Sequence, residues 1–271
     1  MNSLVKQFFS AGEKKEMQYV DVIFLDEMMK LSWEEVSKKS PDLPRGWYEL
    51  SRVTPKDRVE FTRDYWLDRL PYHPSAHPQI YEFFDQLDDI AVVLAMQKDE
   101  EAFLPELVYS FEDNSTFFRG KPPCSEEDLF EMRCEIRMPL PNDYLSFVRI
   151  HSGFGKLSEM GLLPVGEIGD AKRRVMEMVT RNERPLKAGT GAGRRVDPGS
   201  LIPFYEAVGL SCFQCFYADW YPGNEMGNVY LSGIDYTISD TTKSGSWAEG
   251  LAFSSFLEWL VYYLQGMNVS P

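Results

Sequence analysis

The sequence predicts an α+β protein in two parts, a smaller α+β domain over 1–119 and a second domain over 120–271. Three observations lead there. Helical periodicity dominates as far as Leu87, and the character changes at Ile90–Met96, an apolar, partly β-branched run that suits a buried strand. Gly120-Lys121-Pro122-Pro123 then punctuates the chain without continuing any element. Beyond it, capped helix starts and short strand-like runs are both legible.

In order along the chain, Val20–Lys39 reads as helix from the stripe Leu25, Met28, Met29, Trp33 and Val36. Ser32 with Glu35 forms a capping box that can start a new helix inside it. Thr54-Pro55 starts the next helix, with Pro at the first helical position. Val59, Phe61, Tyr65, Trp66 and Leu70 carry it to Pro71. Pro78–Leu87 follows, with Ile80, Phe83, Phe84 and Leu87 on one face. After the strand at Ile90–Met96 come strands at Leu107–Phe111 and Thr116–Phe118. Past residue 120, Ser125 caps a helix towards Arg137, and Pro141 or Asn142 opens another, closed by Ser152-Gly153. Leu162–Val165 is a short strand, and Ala171, Val175, Met178 and Val179 mark a helix. A Gly-rich loop spans Lys187–Gly199. Strands follow at Leu201–Phe204, Cys212–Tyr217, Val229–Leu231 and Tyr236–Ile238. Ser255 and Glu258 form a capping box on a last helix with Phe256, Trp259, Leu260, Tyr263 and Leu264 on its apolar face.

Composition narrows the function classes. The 271 residues hold 28 Lys+Arg against 42 Asp+Glu, a net charge of −14, with 44% hydrophobic and 14% aromatic residues. That core content excludes a disordered acidic tail. The acidic balance opposes nucleic acid as the partner, since a polyanion needs a basic face. The N-terminal segment lacks the apolar stretch of a secretory signal, and the longest apolar run is too short to span a bilayer. The expected setting is cytoplasmic, with four free thiols.

The second part resembles the SUKH superfamily of immunity-protein and cell-wall-regulator-like domains, over about Ser125–Leu264. The resemblance rests on Leu140-Pro141-x-Asp143-Tyr144-x-x-Phe147, Leu162-Leu163-Pro164-Val165-x-Glu167-Ile168 and Leu201-Ile202-Pro203-Phe204. It continues through Phe213-x-x-Phe216-Tyr217-x-Asp219, Val229-Tyr230 and Phe253-x-x-Phe256-Leu257-x-x-Leu260. It implies an antiparallel sheet flanked by helices, a domain that binds another protein, and no chemistry of its own. About 120 residues precede the match, with no family resemblance found in them.

Several residue groups invite chemistry. Cys212-x-x-Cys215 has the spacing of half a zinc or redox site, but on a strand residues three apart face opposite sides. His73 and His77 are four apart, in a Pro-rich stretch that disfavours a zinc-binding helix. His151 suits a packed, satisfied imidazole. Gly189–Arg195 lacks the strand–loop–helix context of a phosphate cradle. No cofactor or metal is expected. Between Asp170 and Arg195 the charge is locally positive. Lys172, Arg173, Arg174, Arg181, Arg194 and Arg195 make a candidate basic patch for an acidic surface, or equally a solvated helix and loop. Asp219, Trp220, Tyr221, Glu225, Asp235 and Asp240 make the candidate partner-binding face, because acids and aromatics on loops suit protein contacts.

The expected function is non-enzymatic binding of another protein, in the form of a toxin-neutralising immunity protein that occludes its partner. A regulatory scaffold or adaptor for endogenous signalling or secretion machinery is the alternative. A metal-assisted hydrolase on the acidic loops is a third reading, with no nucleophile–base pair behind it. Oligomeric state is left open by the sequence.

Overall fold

The computed structural model describes residues 2–10, 19–28, 30–98, 100–113, 115–157, 161–181, 185–188, 195–207, 209–241 and 251–265. Its N-terminal part contains α1 (Ser3–Ser10), β1 (Tyr19–Phe24), α2 (Trp33–Lys39), α3 (Arg45–Leu50), α4 (Pro55–Arg69), α5 (Ala76–Asp85), β2 (Leu87–Gln97), β3 (Leu104–Phe111) and β4 (Phe117–Gly120). Then come α6 (Glu126–Ile136), α7 (Asn142–Phe147), β5 (Phe154–Lys156), α8 (Ile168–Thr180), β6 (Lys187–Ala188) and β7 (Leu201–Ala207). The chain continues through β8 (Cys212–Tyr217), β9 (Asn228–Ser232), β10 (Thr237–Ile238), β11 (Ala252–Phe253) and α9 (Phe256–Leu264).

The helix expected over Val20–Lys39 is corrected. Tyr19–Phe24 is a strand, paired antiparallel with β2 through Val22↔Ala95 and Phe24↔Val93. Its β-branched Val20, Val22 and Ile23 fit a pleated surface better than a helix. Among the described residues of that stretch, only Trp33–Lys39 is helical, and there the expected capping box is formed: Glu35 N–H donates to Ser32 Oγ and Ser32 N–H to the Glu35 carboxylate. Thr54 caps α4 as its sequence suggests. The face of α4 differs from expectation, however. Arg58, Thr62 and Trp66 point inward, while Phe61 and Tyr65 are exposed.

Strands run in the order β1-β2-β3-β4-β5 in one sheet and β6-β10-β9-β8-β7 in the other, with β11 also on β9. Pairing is antiparallel apart from β6 with β10. The two sheets meet through one short segment. Leu162 bridges Phe154 of β5 on one side and Tyr205 of β7 on the other. Leu163 N–H donates to Phe204 O and Glu206 N–H to Gly161 O, each at 2.8 Å. The strand expected at Leu162–Val165 is therefore a single bridging residue followed by a 3₁₀ turn at Val165–Glu167.

Position 120 is not a gap in the packing. The stretch expected as a linker lies bonded against the next elements. Lys121 N–H donates to Gly153 O, Ser152 N–H to Pro122 O and Cys124 N–H to Val148 O, at 2.9–3.0 Å. β4 pairs with β5 across the same point. The largest core cluster also spans it. Trp66 of α4 meets Phe84 of α5, Phe147 of α7 and Phe154 of β5, with ring centroids 5.3–5.7 Å apart. A second cluster sits under α8, where Val175 and Val179 cover Phe213, Cys215 and Leu231. A third lies on the far face of the first sheet, where Val5 and Phe9 of α1 pack on Val93, Val108 and Phe117.

Two buried ion pairs pin the N-terminal elements. Arg58 holds Asp89 of β2 in a two-pronged contact, both bonds 2.8 Å, and also donates to Val53 O. Arg119 of β4 meets Glu106 of β3, the Tyr19 hydroxyl and the Leu157 carbonyl. Each removes a charge from water only in company with its counter-charge and further hydrogen bonds.

Candidate protein-binding surface

The β8–β9 connection carries most of the sequence-selected acids and aromatics. Its ends are tied by Tyr217 N–H to Gly227 O and Gly227 N–H to Trp220 O, both 3.0 Å. The Trp220 ring lies on Gly227, where a Cβ would stand 2.4 Å from Cε3, so glycine is required. Trp220 is thus a half-buried anchor packed against the cluster beneath α8. Tyr221 beside it is 51% exposed. The exposed Asp219 accepts from Ser200 Oγ at 2.8 Å, and Glu225 is half-buried.

Asp235 and Asp240 are placed differently. Asp235 sits in the β9–β10 turn, where its N–H donates to Ser232 Oγ and its carboxylate accepts from the same hydroxyl. β9 is five residues long, so that turn lies roughly 15 Å from the β8–β9 loop. Asp235 therefore does not join one face with Asp219–Glu225. Asp240 does run back towards it: Ile238 pairs with Leu231, and Ser239 N–H donates to Tyr230 O.

The basic patch is met by this chain's own carboxylates. Arg173 pairs with Glu135 of α6 and with Asp170, and Arg174 pairs with Glu206 of β7. Arg181 pairs with Glu177 at 3.0 Å. Lys172 is half-buried, and burial pushes its amine down while Asp197 pulls it back up. Arg195 is exposed and bridges to Lys187 through the backbone. Arg194 and the glycines of 189–193 lie outside the described residues. Glu135, Glu206 and Asp197 are distant in sequence or on other elements, so a local charge count misses them.

Of the reactive-looking groups, Cys212 and Cys215 are buried, and Cys124, His73 and His77 are half-buried. Cys215 faces the cluster beneath α8, whereas Cys212 points to the other side of β8 and its thiol donates to Leu210 O. Burial pushes the Cys215 thiol up, and the Cys124 thiol up to about 11. His73 and His77 are bound to each other through the backbone turn that starts α5, with His73 N–H donating to His77 Nδ1. Among the described residues, no group of three or more His, Cys, Asp and Glu stands ready to hold a metal ion.

His151 is the packed imidazole expected. Its Nδ1–H donates to Lys121 O at 2.8 Å, which leaves Nε2 to accept the Tyr109 hydroxyl. Burial holds it neutral, pushing its pKa down to about 4. Gly120 makes room for it: a Cβ there would stand 2.4 Å from His151 Nδ1.

One motif residue has a role that sequence reading did not assign. Buried Asp143 accepts the Tyr144 N–H at 2.8 Å and, from the opposite end of the motif region, the Leu257 N–H at 3.0 Å. It thereby satisfies a free donor in the first turn of α9. Ser255 caps the same helix, but the expected box with Glu258 is only half formed. The Glu258 carboxylate takes Ser254 instead. The Asp–aromatic helix start and the final helix are thus one hydrogen-bonded unit.

An open cleft of about 220 Å³ lies between α5, the β3–β4 hairpin and the end of α9. That is below the usual size of small-molecule sites. Among the described residues, no helix is long and apolar enough to cross a membrane. A family model, the SMI1 / KNR4 family (SUKH-1), matches residues 123–261. No curated protein matches the chain.

Proposed function

The chain belongs to the SMI1 / KNR4 family (SUKH-1), and from that premise we propose that it is a non-enzymatic protein that binds another protein and blocks its working surface. The observation that carries this reading is the family match itself, since SUKH domains are protein-interaction modules. The site chemistry supports it. The β8–β9 loop presents Asp219 and Tyr221 from a rigid base fixed by Trp220. The thiols with raised pKa and the neutral, buried His151 are poor nucleophiles and bases. A net charge of −14 favours a cationic partner over nucleic acid. We place the protein in the reducing cytoplasm, where four free cysteines persist. Toxin neutralisation is the form of the activity proposed first. A regulatory scaffold is favoured by one feature, the N-terminal sheet that extends the binding module's surface.

Capture of partners from the native lysate, followed by reconstitution with the purified partner, tests the reading. Combined Asp219→Lys, Glu225→Lys and Asp240→Lys should weaken the reconstituted complex at least tenfold. Unchanged affinity overturns the loop as the contact face.

A further inference from the structure

The outward face of α4 is the surface least explained by folding. Its core side is complete: Arg58, Thr62 and Trp66 recur every four residues and are buried. Facing away from them, Phe61, Asp64, Tyr65 and Asp68 are all exposed, at the spacing i, i+3, i+4, i+7 of one helix stripe. Phe61 is 58% exposed and Tyr65 41%. Just past the helix end, Tyr72 is 79% exposed. Of ten exposed large hydrophobic residues among those described, four lie on the α4–α5 pair: Phe61, Tyr65, Tyr72 and Tyr81. Tyr81 lies against Arg63 and Tyr72 against His77, so the exposed rings that share one stripe are Phe61 and Tyr65, and that stripe is the candidate surface.

Charge selects the occupant. Asp64 and Asp68 lie on the same side as the rings, within a 1–120 segment of net charge −9. Arg63 already pairs with Asp64 at 3.0 Å, whereas among the described residues Asp68 is in no ion pair. The chain itself shows what these rings accept. The Arg69 guanidinium lies 5.3 Å from the Tyr65 centroid, and that of Arg63 lies 5.4 Å from Tyr81. Among the described residues no cation covers Phe61. A second copy fits poorly, because its net charge repels and the arginines of its α8 are held by its own carboxylates.

We infer that the Phe61–Asp68 face of α4 docks an arginine-bearing basic segment of a partner protein. A guanidinium stacks on Phe61, and a neighbouring cation pairs with Asp68. This rests on the protein-binding reading above and adds a second contact surface, outside the family-matched region.

The test uses the full chain and a labelled synthetic peptide with arginine at every third or fourth position among alanines. Matched lysine and glutamate peptides serve as controls, and a photo-crosslinker in the peptide reports the contact site. The expected result is arginine-peptide binding at least fivefold tighter than the lysine peptide, with crosslinks to 57–72. Phe61→Ser with Asp68→Lys should weaken it at least tenfold, and Asp68→Lys alone at least threefold, with thermal melting unchanged. Binding that crosslinks to 219–240 and survives the α4 changes overturns this inference while leaving the protein-binding reading intact. Equal binding of the arginine and glutamate peptides overturns it as well. The reconstituted-partner experiment on Asp219, Glu225 and Asp240 judges the broader reading separately.

Discussion

His151 shows how one side chain can make stability depend on pH without taking part in any reaction. Its folded-state pKa is depressed to about 4 from an ordinary 6.5. The neutral form is favoured on folding, so this contribution is present above pH 6.5 and is lost as pH falls through 4. The loss is on the order of 3 kcal/mol. Urea unfolding at a series of pH values should show it, and His151→Phe should flatten that limb. The same variant should cost about 2 kcal/mol at pH 7.5, because the Tyr109 hydroxyl and Lys121 carbonyl lose their partner. Gly120→Ala should cost about 2 kcal/mol through overlap with the same ring, measured by the shift in urea midpoint. The sequence makes His151 a packed imidazole by putting it on the apolar face of a helix that runs to Ser152-Gly153. The packing is as expected, but the helix ends at Phe147 and His151 closes the turn beyond it. The need for glycine at 120 was not legible, because the ring that fills the space comes from 31 positions later.

Among the elements, those specified by local chemistry were the most legible. Capped helix starts at Ser32, Thr54 and Ser125 are formed where the sequence puts them. Removing the reciprocal cap in Ser125→Ala should cost about 1 kcal/mol, read from thermal melting. Features decided by distant partners were illegible. The expected helical stripe begins only at Leu25, and the residues before it form β1 because the edge of β2 is open to them. Phe61 and Tyr65 look like core residues, yet a buried Arg58–Asp89 pair turns α4 the other way. Glu258 fits a capping box by spacing, but the cross-element carboxylate of Asp143 shares the task. Asp143→Ala should cost about 2 kcal/mol, more than Ser125→Ala, because the donor it leaves is buried. Comparing the two variants in one urea series checks the order.

At the scale of the whole molecule, the family match begins at residue 123 but the packing does not. Trp66, Tyr109, Phe147 and Phe154 belong to one core, drawn from both sides of that position. The full chain should therefore unfold in a single calorimetric transition, and a 121–271 fragment should lose that cooperative transition, since it would expose Phe147, Phe154 and the free edge of β5. Two separate transitions would show independent domains. The partner-binding residues were only partly legible for the same reason. Sequence proximity grouped Asp235 with the β8–β9 loop, whereas the antiparallel course of β9 sends them to opposite ends of one strand.

The pairing of β4 with β5 also sets an order in time. A ribosome makes Phe117–Gly120 some thirty-five residues before Phe154–Lys156 can cover it. During that interval the nascent chain carries three completed strand pairs and an outer edge with nothing beside it. Unpaired edges recruit other strands. The α6–α7 stretch is thus the delay during which a growing chain is most open to joining its neighbours, and slowing synthesis between residues 120 and 156 should lower the yield of native protein more than slowing it after residue 207.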